Sequence, residues 1–405
     1  MKCGLLGRHL AHSYSPQIHS YLGEYSYDIF EKEPEEVENF LKNGDFTGLN
    51  VTIPYKKAVI PYCAVLSDTA KALGAVNTLV RMGDGLLVGH NTDYFGFRSL
   101  VERTGLTLAG KKALVLGSGG ASNTAVAALK ELGAHVIVIS RSGENNYDNL
   151  QLHADAALIV NTTPVGMYPN TDAAPLTLDG FPQLEGVIDV IYNPARTRLL
   201  LEAEKRGLVA ENGLWMLVAQ AWESAQWFTG KSLPQSLIEA IYRVLKSQME
   251  NIVLVGMPGS GKSTIGQLLS QALQRTLVDA DAEIVKEAGM PIPELFATQG
   301  EPAFRAIETR VLERLGKESG LIIATGGGCV TRPENFNHLR QNGKVLWLKR
   351  DLNKLPIDGR PLSQNTKLAD MYAVREPLYR AFSHVEISND GEPSETVRQI
   401  MEVIQ

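Results

Sequence analysis

The sequence predicts an α/β protein built in three blocks, with largely parallel sheets. Strand-like apolar runs alternate with helical stretches along the whole chain. Two of those strands run straight into glycine-rich turns that open helices. The length of 405 residues accommodates two or three domains at the usual ~100–200 residues each. Hydrophobic residues make up 44% and charged residues 21%. Each block can therefore bury a full core without disulfides or metal staples.

The remaining bulk features exclude several classes. Cys3, Cys63 and Cys329 lie far apart and form no CxxC pair, and the eight histidines form no HExxH cluster. That argues against a disulfide framework or a zinc site and fits a reducing compartment. A net charge of −6 argues against nucleic acid as a partner, because a phosphate backbone calls for a basic face. The opening MKCGLLGRHLAHSYS lacks a signal-peptide apolar core. No apolar run approaches the ~20 residues that span a bilayer. A cytoplasmic protein with no membrane partner is expected.

The first block, residues 1 to ~100, mixes helices with strands at 4–6 and 48–53. The second, ~101–212, opens with a turn at 108–111. A strand at 113–116, a GSGG turn, a helix at about 121–132 and a strand at 135–139 follow, with further strands at 158–161 and 186–189. Residues ~213–245 read as wholly helical. The third block has strands at 252–255, 276–279, 321–325, 344–349 and 385–388. Its junction with the preceding helix, 246–250, is short and polar, with no Gly/Ser-rich linker.

Gly256-x4-Gly261-Lys262-Ser263 follows an apolar strand and precedes a helix at 264–273, the context a phosphate-binding P-loop requires. Backbone N–H groups of Gly256, Gly259, Ser260, Gly261 and Thr264, with the helix N-terminus, form an anion nest for the β-phosphate. Lys262 neutralises β/γ charge and Ser263 can ligate Mg²⁺. Asp279 and Asp281 end the second strand of this block. At i, i+2 they read either as a magnesium and hydroxyl pair on one strand face or as helix-capping aspartates. Arg305 and Glu308 are helix neighbours, and alone they read as a surface ion pair. Gly326, Gly327 and Gly328 close the third strand, either for close ligand approach or as a tight turn. Arg360 lies in a Pro/Gly-bearing loop suited to a lid. Arg375 begins or lies on a helix.

In the second block, Gly117-Ser118-Gly119-Gly120-Ala121 forms a sharp βα turn that admits a pyrophosphate at a helix N-terminus. Ser122 stands where the third glycine of a dinucleotide-binding pattern would be. The next strand ends Ser140-Arg141, with no acidic residue for a ribose 2′-hydroxyl. An arginine there can grip a 2′-phosphate, which favours NADP over NAD. The first block holds Ser13 and Ser15 before Pro16, then Asn50, Thr52, Lys56, Asn77 and Asp93. Singly these read as a cap, a solvated lysine and a turn. Together, Lys56 and Asp93 suggest proton exchange with an alcohol during hydride transfer.

HSYSPQIHS, GLNVTIPYK, GAVNTLV, GHNTDYFGF, GSGGA, NTTPVGM and NGLWMLVAQA occur in one order. Residues 1 to ~245 thereby resemble shikimate dehydrogenase. The resemblance implies a two-lobed dehydrogenase, with residues 1–100 completed by helices 213–245 and a Rossmann-type NADP lobe at 101–212. It implies NADPH reduction of 3-dehydroshikimate to shikimate, with Lys56 and Asp93 as the catalytic pair. Ser13, Ser15, Asn50, Thr52, Asn77 and Gln220 would bind the substrate. Thr162 and Gly213 would flank the nicotinamide, with Tyr192 nearby, and His12 and His19 would be structural.

GMPGSGKST, VDAD, GEPAFRAIE, GGG, GRPL and REPLY are likewise ordered, and residues 250–405 resemble shikimate kinase. This implies a P-loop kinase domain, a parallel sheet flanked by helices, in which the shikimate 3-hydroxyl attacks ATP. Asp281 would orient or deprotonate that hydroxyl, and Asp279 would support Mg²⁺ with Ser263. Arg305 and Arg375 would clamp the carboxylate, Gly326–Gly328 would touch the ring, and Arg360 would close with the lid. One departure is visible. The family's lid carries another arginine before the RPL arginine, whereas here the stretch is shortened, with Asn353 and Lys354 nearest that place. Weakened ATP binding is expected.

The expected protein is thus a bifunctional enzyme using NADP, ATP and Mg²⁺, a monomer or homodimer acting on small molecules. A quinate/shikimate dehydrogenase fused to the kinase is a second reading, against which Arg141 argues. A kinase-like regulatory module is a third. Intact Lys262, Asp279, Asp281, Arg305, Arg360 and Arg375 argue against it.

Overall fold

A computed structural model describes residues 1–10, 13–355 and 368–404. Contacts divide the chain into two compact units. One comprises Met1–Gly166, Ala173–Tyr192 and Glu202–Val244; the other comprises Met167–Asp172, Asn193–Leu201 and Leu245–Gln405.

The first unit holds two sheets. β1 (Lys2–Gly7), β2 (Ser26–Glu31), β3 (Gly48–Val51), β4 (Cys63–Leu66), β5 (Thr78–Arg81) and β6 (Leu87–His90) form one, in the order β2-β1-β3-β5-β6-β4. This sheet is mixed rather than largely parallel, since β5 runs antiparallel to both β3 and β6. A tight hairpin imposes the reversal: Gly85 takes φ 87° and its N–H donates to Met82 O at 2.9 Å. β3 stops at Val51, short of the expected end at residue 53. Pro54 has no N–H to offer a ladder, and Tyr55 N turns back to Thr52 O at 2.9 Å.

The other sheet is parallel throughout. β7 (Lys112–Leu116), β8 (His135–Ile139), β9 (Leu158–Asn161), β10 (Gly186–Asp189) and β11 (Val209–Asn212) take the order β11-β10-β9-β7-β8. From Ala113 to Leu116 the interior strand β7 is fully buried, as a sheet covered on both faces demands. Helix Gly120–Glu131 opens directly after its turn. β11 was not expected, because VAEN presents no apolar run.

The stretch expected to be wholly helical is two helices, Leu214–Thr229 and Ser236–Met249. Gly230, at φ 66°, ends the first in a left-handed cap. That helix packs on helices Ser15–Ser20 and Asp93–Arg103 and on β5. It approaches Asp93–Arg103 so closely that a Cβ on Gly96 would stand 2.7 Å from Met216 O and 3.0 Å from Gln220 Cβ.

In the second unit, β12 (Asn251–Val255), β13 (Leu277–Asp279), β14 (Ile322–Ala324), β15 (Gly343–Lys349) and β16 (Val385–Ser388) form a parallel sheet, order β13-β14-β12-β15-β16. β12 lies at its centre, buried along its whole length. Glu250 alone separates helix Ser236–Met249 from β12. Among the described residues no helix is long and apolar enough to cross a membrane. All three cysteines are free thiols, and burial pushes those of Cys3 and Cys63 up to about 11 and that of Cys329 up to about 12.

Gly96 sets the spacing of the two helices that carry Asp93 and Gln220. Gly96→Val should destabilise the first unit by about 1–3 kcal/mol, the usual cost of overpacking. Urea unfolding followed by tryptophan fluorescence measures it, and an unchanged midpoint would contradict the close-packing argument.

Candidate functional site

A cleft of about 590 Å³ opens in the first unit. Ser13, Ser15, Asn50, Thr52, Lys56, Asn77 and Asp93 line it from the mixed-sheet lobe. Ala121, Tyr192 and Gly213 line it from the parallel-sheet side, and Gln220 from helix Leu214–Thr229. The strand ends explain this convergence. Asn50 rides on β3, Lys56 follows the turn that ends it, and Asp93 is the first residue of the helix after β6. Lys56 Nζ and Asp93 Oδ2 lie 2.6 Å apart, both half-buried. A carboxylate in a first helical turn also meets the positive end of the helix dipole.

A buried polar network fixes the two amides. Asn50 Nδ2 donates to Ser224 Oγ at 2.8 Å and Thr78 Oγ1 at 3.2 Å, and Tyr27 OH donates to Asn50 Oδ1 at 2.7 Å. Asn77 Nδ2 donates to Thr92 Oγ1 at 3.0 Å, and Thr92 N donates back to Asn77 Oδ1 at 2.7 Å. Thr78, Thr92 and Ser224 were not singled out in the sequence, although a serine inside the apolar run of helix Leu214–Thr229 was a signal for a buried partner. Ser13 Oγ accepts from Ser15 N at 3.2 Å in a local turn before helix Ser15–Ser20, whose N-cap is Tyr14 with no side-chain cap bond, while both serines line the cleft. His9, Met216 and Leu217 also line the cleft, and nothing in their local pattern announced it. His19 is buried and stacks on Tyr27 at 4.0 Å; burial lowers its imidazole to about 3. His12 lies outside the described residues.

At the turn after β7, Gly117 takes φ 106° and its N–H donates to Ile139 O at 2.8 Å. Thr162 sits behind this turn: its Oγ1 donates to Leu116 O at 2.6 Å, and a Cβ on Gly117 would stand 3.0 Å from it. A Cβ on Gly119 or Gly120 would meet nothing within 4 Å. The protein itself makes no demand for glycine at those two positions, which suits a pyrophosphate drawn close to the backbone. Ser118 is exposed on the same turn, Ser140 follows β8, and Arg141 stands exposed beside it.

The second unit holds a cavity of about 770 Å³. Gly259, Gly261, Lys262, Ser263 and Thr264 line it with Asp279, Asp281, Arg305, Gly326–328 and Arg375. Gly256 and Ser260 complete the loop without lining the cavity. Lys262 Nζ donates to Gly256 O at 2.9 Å and Met257 O at 3.0 Å, so its own loop holds it. Asp279 does two jobs. Its Oδ1 accepts from Asp281 N at 3.0 Å and Ala282 N at 3.3 Å as a helix cap, and its Oδ2 accepts from Ser263 Oγ at 2.8 Å. Asp281 is not on a strand face as expected; it lies in the first turn of helix Ala280–Ala288. Among the described residues no cluster of three His, Cys, Asp or Glu could hold a metal. The adjacent Ser263 and Asp279 oxygens suit Mg²⁺, which completes its shell with phosphates and water.

Arg305 and Glu308 are not a surface pair. They are 6% and 1% exposed and hydrogen-bonded at 2.7 Å. Burial opposes the Arg305 charge, yet Glu308 and Glu301 hold its guanidinium above the ordinary value. Burial pushes the Glu308 carboxyl up, against the pull of Arg305. The glycines beyond β14 leave room for these groups. A Cβ on Gly326 would come within 2.8 Å of Asp281 Oδ1, and one on Gly328 would overlap the Arg305 guanidinium. Arg375 Nη1 donates to Gly327 O at 3.2 Å, and Tyr379 OH donates to the same oxygen. Arg360 lies outside the described residues.

Comparison with known proteins finds relatives for both parts of the chain. Residues 5–79 match the shikimate dehydrogenase substrate-binding domain and residues 258–405 match the shikimate kinase family. The NADP(+) shikimate dehydrogenase of Caldicellulosiruptor saccharolyticus is 36% identical over 274 residues, covering 60% of this chain and 97% of that protein. The solved shikimate 5-dehydrogenase of Thermus thermophilus, in complex with NADP(H) and shikimate, superposes with TM-score 0.55 at 33% identity over 60% of this chain and 99% of its own. A quinate dehydrogenase of Corynebacterium glutamicum, in complex with NAD, gives TM-score 0.55 at 26% identity over 61% and 99%. The chain belongs to the shikimate dehydrogenase family and carries a shikimate kinase domain behind it, so that two enzymes share one polypeptide.

Proposed function

We propose that the first unit reduces 3-dehydroshikimate to shikimate and that the second phosphorylates shikimate on its 3-hydroxyl. The observation that carries this reading is the Lys56–Asp93 pair at 2.6 Å, facing a cleft that Ala121 and Gly213 share from the dinucleotide side. The functional division proposed is 1–100 with 213–245 for substrate, 101–212 for NADP and 250–405 for phosphoryl transfer.

In the first site, bound NADPH supplies the hydride. Lys56 donates a proton to the oxygen that becomes an alkoxide, and Asp93 keeps the ammonium aimed at it. Ser13, Ser15, Asn50, Thr52, Asn77 and Gln220 bind the carboxylate and hydroxyls, with Tyr192 closing the far wall. Gly117–Gly120 and the helix N-terminus receive the pyrophosphate, Ser140 and Arg141 the 2′-phosphate. Thr162 supports the turn from behind, and Gly213 borders the nicotinamide.

In the second site, ATP supplies the phosphoryl group and Mg²⁺ offsets charge between its phosphates. Arg305 and Arg375 grip the shikimate carboxylate, and the Gly326–Gly328 backbone lies against the ring. Asp281 accepts the hydrogen bond of the attacking 3-hydroxyl and so orients it. Lys262 meets β/γ charge, Ser263 and Asp279 hold the metal, and the role assigned to Arg360 is to meet the charge being transferred. Burial of Arg305 and its carboxylate partner supports a built acceptor site over a regulatory nucleotide sensor. The assembly proposed is a cytoplasmic monomer or homodimer, which light scattering distinguishes.

The decisive assay supplies 3-dehydroshikimate, NADPH, ATP and Mg²⁺ and follows NADPH loss and ADP formation together. Lys56→Ala should lower reduction ~10²–10⁴-fold, the usual worth of a general acid, yet phosphorylate added shikimate. Lys262→Ala should do the reverse. Shikimate accumulating without ADP from the parent enzyme would sink the kinase reading.

Arg141→Asp should weaken NADPH binding by roughly tenfold or more, the worth of a charge-assisted hydrogen bond, and leave NADH binding much less affected. Equal losses for both cofactors would refute the 2′-phosphate role. Efficient quinate oxidation with NAD would favour the quinate alternative.

A further inference from the structure

We infer that Arg350 is a nucleotide-binding residue of the second unit, contacting the phosphates of ATP and ADP from the β15 side of the P-loop. The inference deepens the kinase reading and rests on the P-loop as its nucleotide site.

Strand pairing brings Arg350 there. β15 lies beside β12 with Val255 opposite Trp347, so the chain after Trp347 runs alongside the phosphate loop. A Cβ on Gly256 would collide with Leu348 O, and Arg350 Nη1 stands 4.0 Å from the place of a Cβ on Gly261. Arg350 lines the same cavity as Gly259, Gly261 and Lys262. The loop is anchored on this flank: Asn389 Nδ2 donates to Ser260 O at 2.6 Å, and Thr396 Oγ1 donates to Asn389 Oδ1 at 2.8 Å. The guanidinium therefore stands beside a fixed wall.

Its neighbours' charges are already engaged. Lys349 pairs with Glu386 at 2.8 Å. Lys354 Nζ donates to Asp390 O at 2.9 Å, and Asp390 Oδ1 accepts from Asp351 N at 2.8 Å. Asp351 Oδ1 accepts from Asn353 N at 2.9 Å. Arg350 is different: its Nε is buried and has no hydrogen-bond partner, and it forms no ion pair with any described residue. A buried guanidinium N–H left unmet is costly. Here it stands near Gly261 and lines the same cavity as Lys262, where the nest amides and the helix N-terminus are of positive character. Among the described residues no carboxylate forms an ion pair with Arg350, which leaves its balancing anion to a ligand. A polyphosphate on the P-loop has the required charge and place.

The test uses the full-length enzyme with Arg350→Gln and Arg350→Lys. ADP and ATP dissociation constants should rise about tenfold or more in Arg350→Gln, the effect of losing a charge-assisted hydrogen bond, with Arg350→Lys in between. Inhibition by tripolyphosphate, which has no base, should weaken in parallel, and the KM for shikimate should hold. Unchanged dehydrogenase activity and an unchanged melting profile check that the variants fold. Parent-like ADP binding by Arg350→Gln overturns the assignment, as does weakened ADP binding with parent-like tripolyphosphate inhibition, which points to the base. Lys262→Ala separates the two readings. If it also binds ADP like the parent, the P-loop site itself is refuted; if it alone loses binding, only the role of Arg350 is.

Discussion

Both nucleotide sites depend on one constraint, the junction where a buried interior parallel strand ends and the next helix begins. A buried strand such as β7 or β12 satisfies its backbone through its neighbours, but the helix after it starts with N–H groups that have no partner within the helix. Glycine lets the chain reverse tightly enough to aim those N–H groups at one point. Gly117 at φ 106° and Gly261 at φ 92° are such positions. The two units use one device for different ends. In the first the turn stays open above Gly119 and Gly120, as a pyrophosphate lying across it needs. In the second the loop curls around Lys262, which hydrogen-bonds its own carbonyls and is positioned before any phosphate arrives.

The rest of each site is held by buried polar groups rather than by apolar packing. Asn50 and Asn77 would be disordered amides without Thr78, Thr92 and Ser224, whose hydroxyls reach them at 2.8–3.2 Å. Arg305 would be a floppy cation without Glu308 beneath it. Such buried hydrogen bonds in low dielectric rigidify the groups they join. Removing one partner costs more than the bond is worth, because the other is left buried and unmet.

How much of this was legible depended on whether a residue's role was local. Turn glycines, Lys262 and the parallel strands β7, β8 and β12 follow from short-range pattern and were readable. The same holds for the convergence of Lys56 and Asp93, once ordered motifs were weighed together. Long-range geometry was not readable. β5 reverses direction because of a hairpin, which is invisible to an alternation of apolar runs. Arg305–Glu308 looked like a surface pair, since a three-residue spacing says which residues are neighbours and not which face is covered. Asp281 looked like a strand residue because one cap, Asp279, ends the strand and starts the helix at the same position. Thr162 belongs behind a turn 46 residues earlier in the chain, a distance no local window spans.

The two sites handle one molecule with different chemistry, and the difference has a direction. Under the roles proposed, the first cleft meets the shikimate carboxylate with hydroxyls and amides, while the second meets it with Arg305 and Arg375. Charge-assisted hydrogen bonds are roughly twice as strong as neutral ones. A guanidinium already desolvated at 6–7% exposure also loses little more water when the carboxylate arrives. Under those roles the reducing site is expected to release shikimate more readily than the phosphorylating site. An acidic chain, at net charge −6, does not attract that anion at long range. Local cations must do so, and under those roles the second site offers Arg305 and Arg375 where the first offers Lys56, already paired with Asp93.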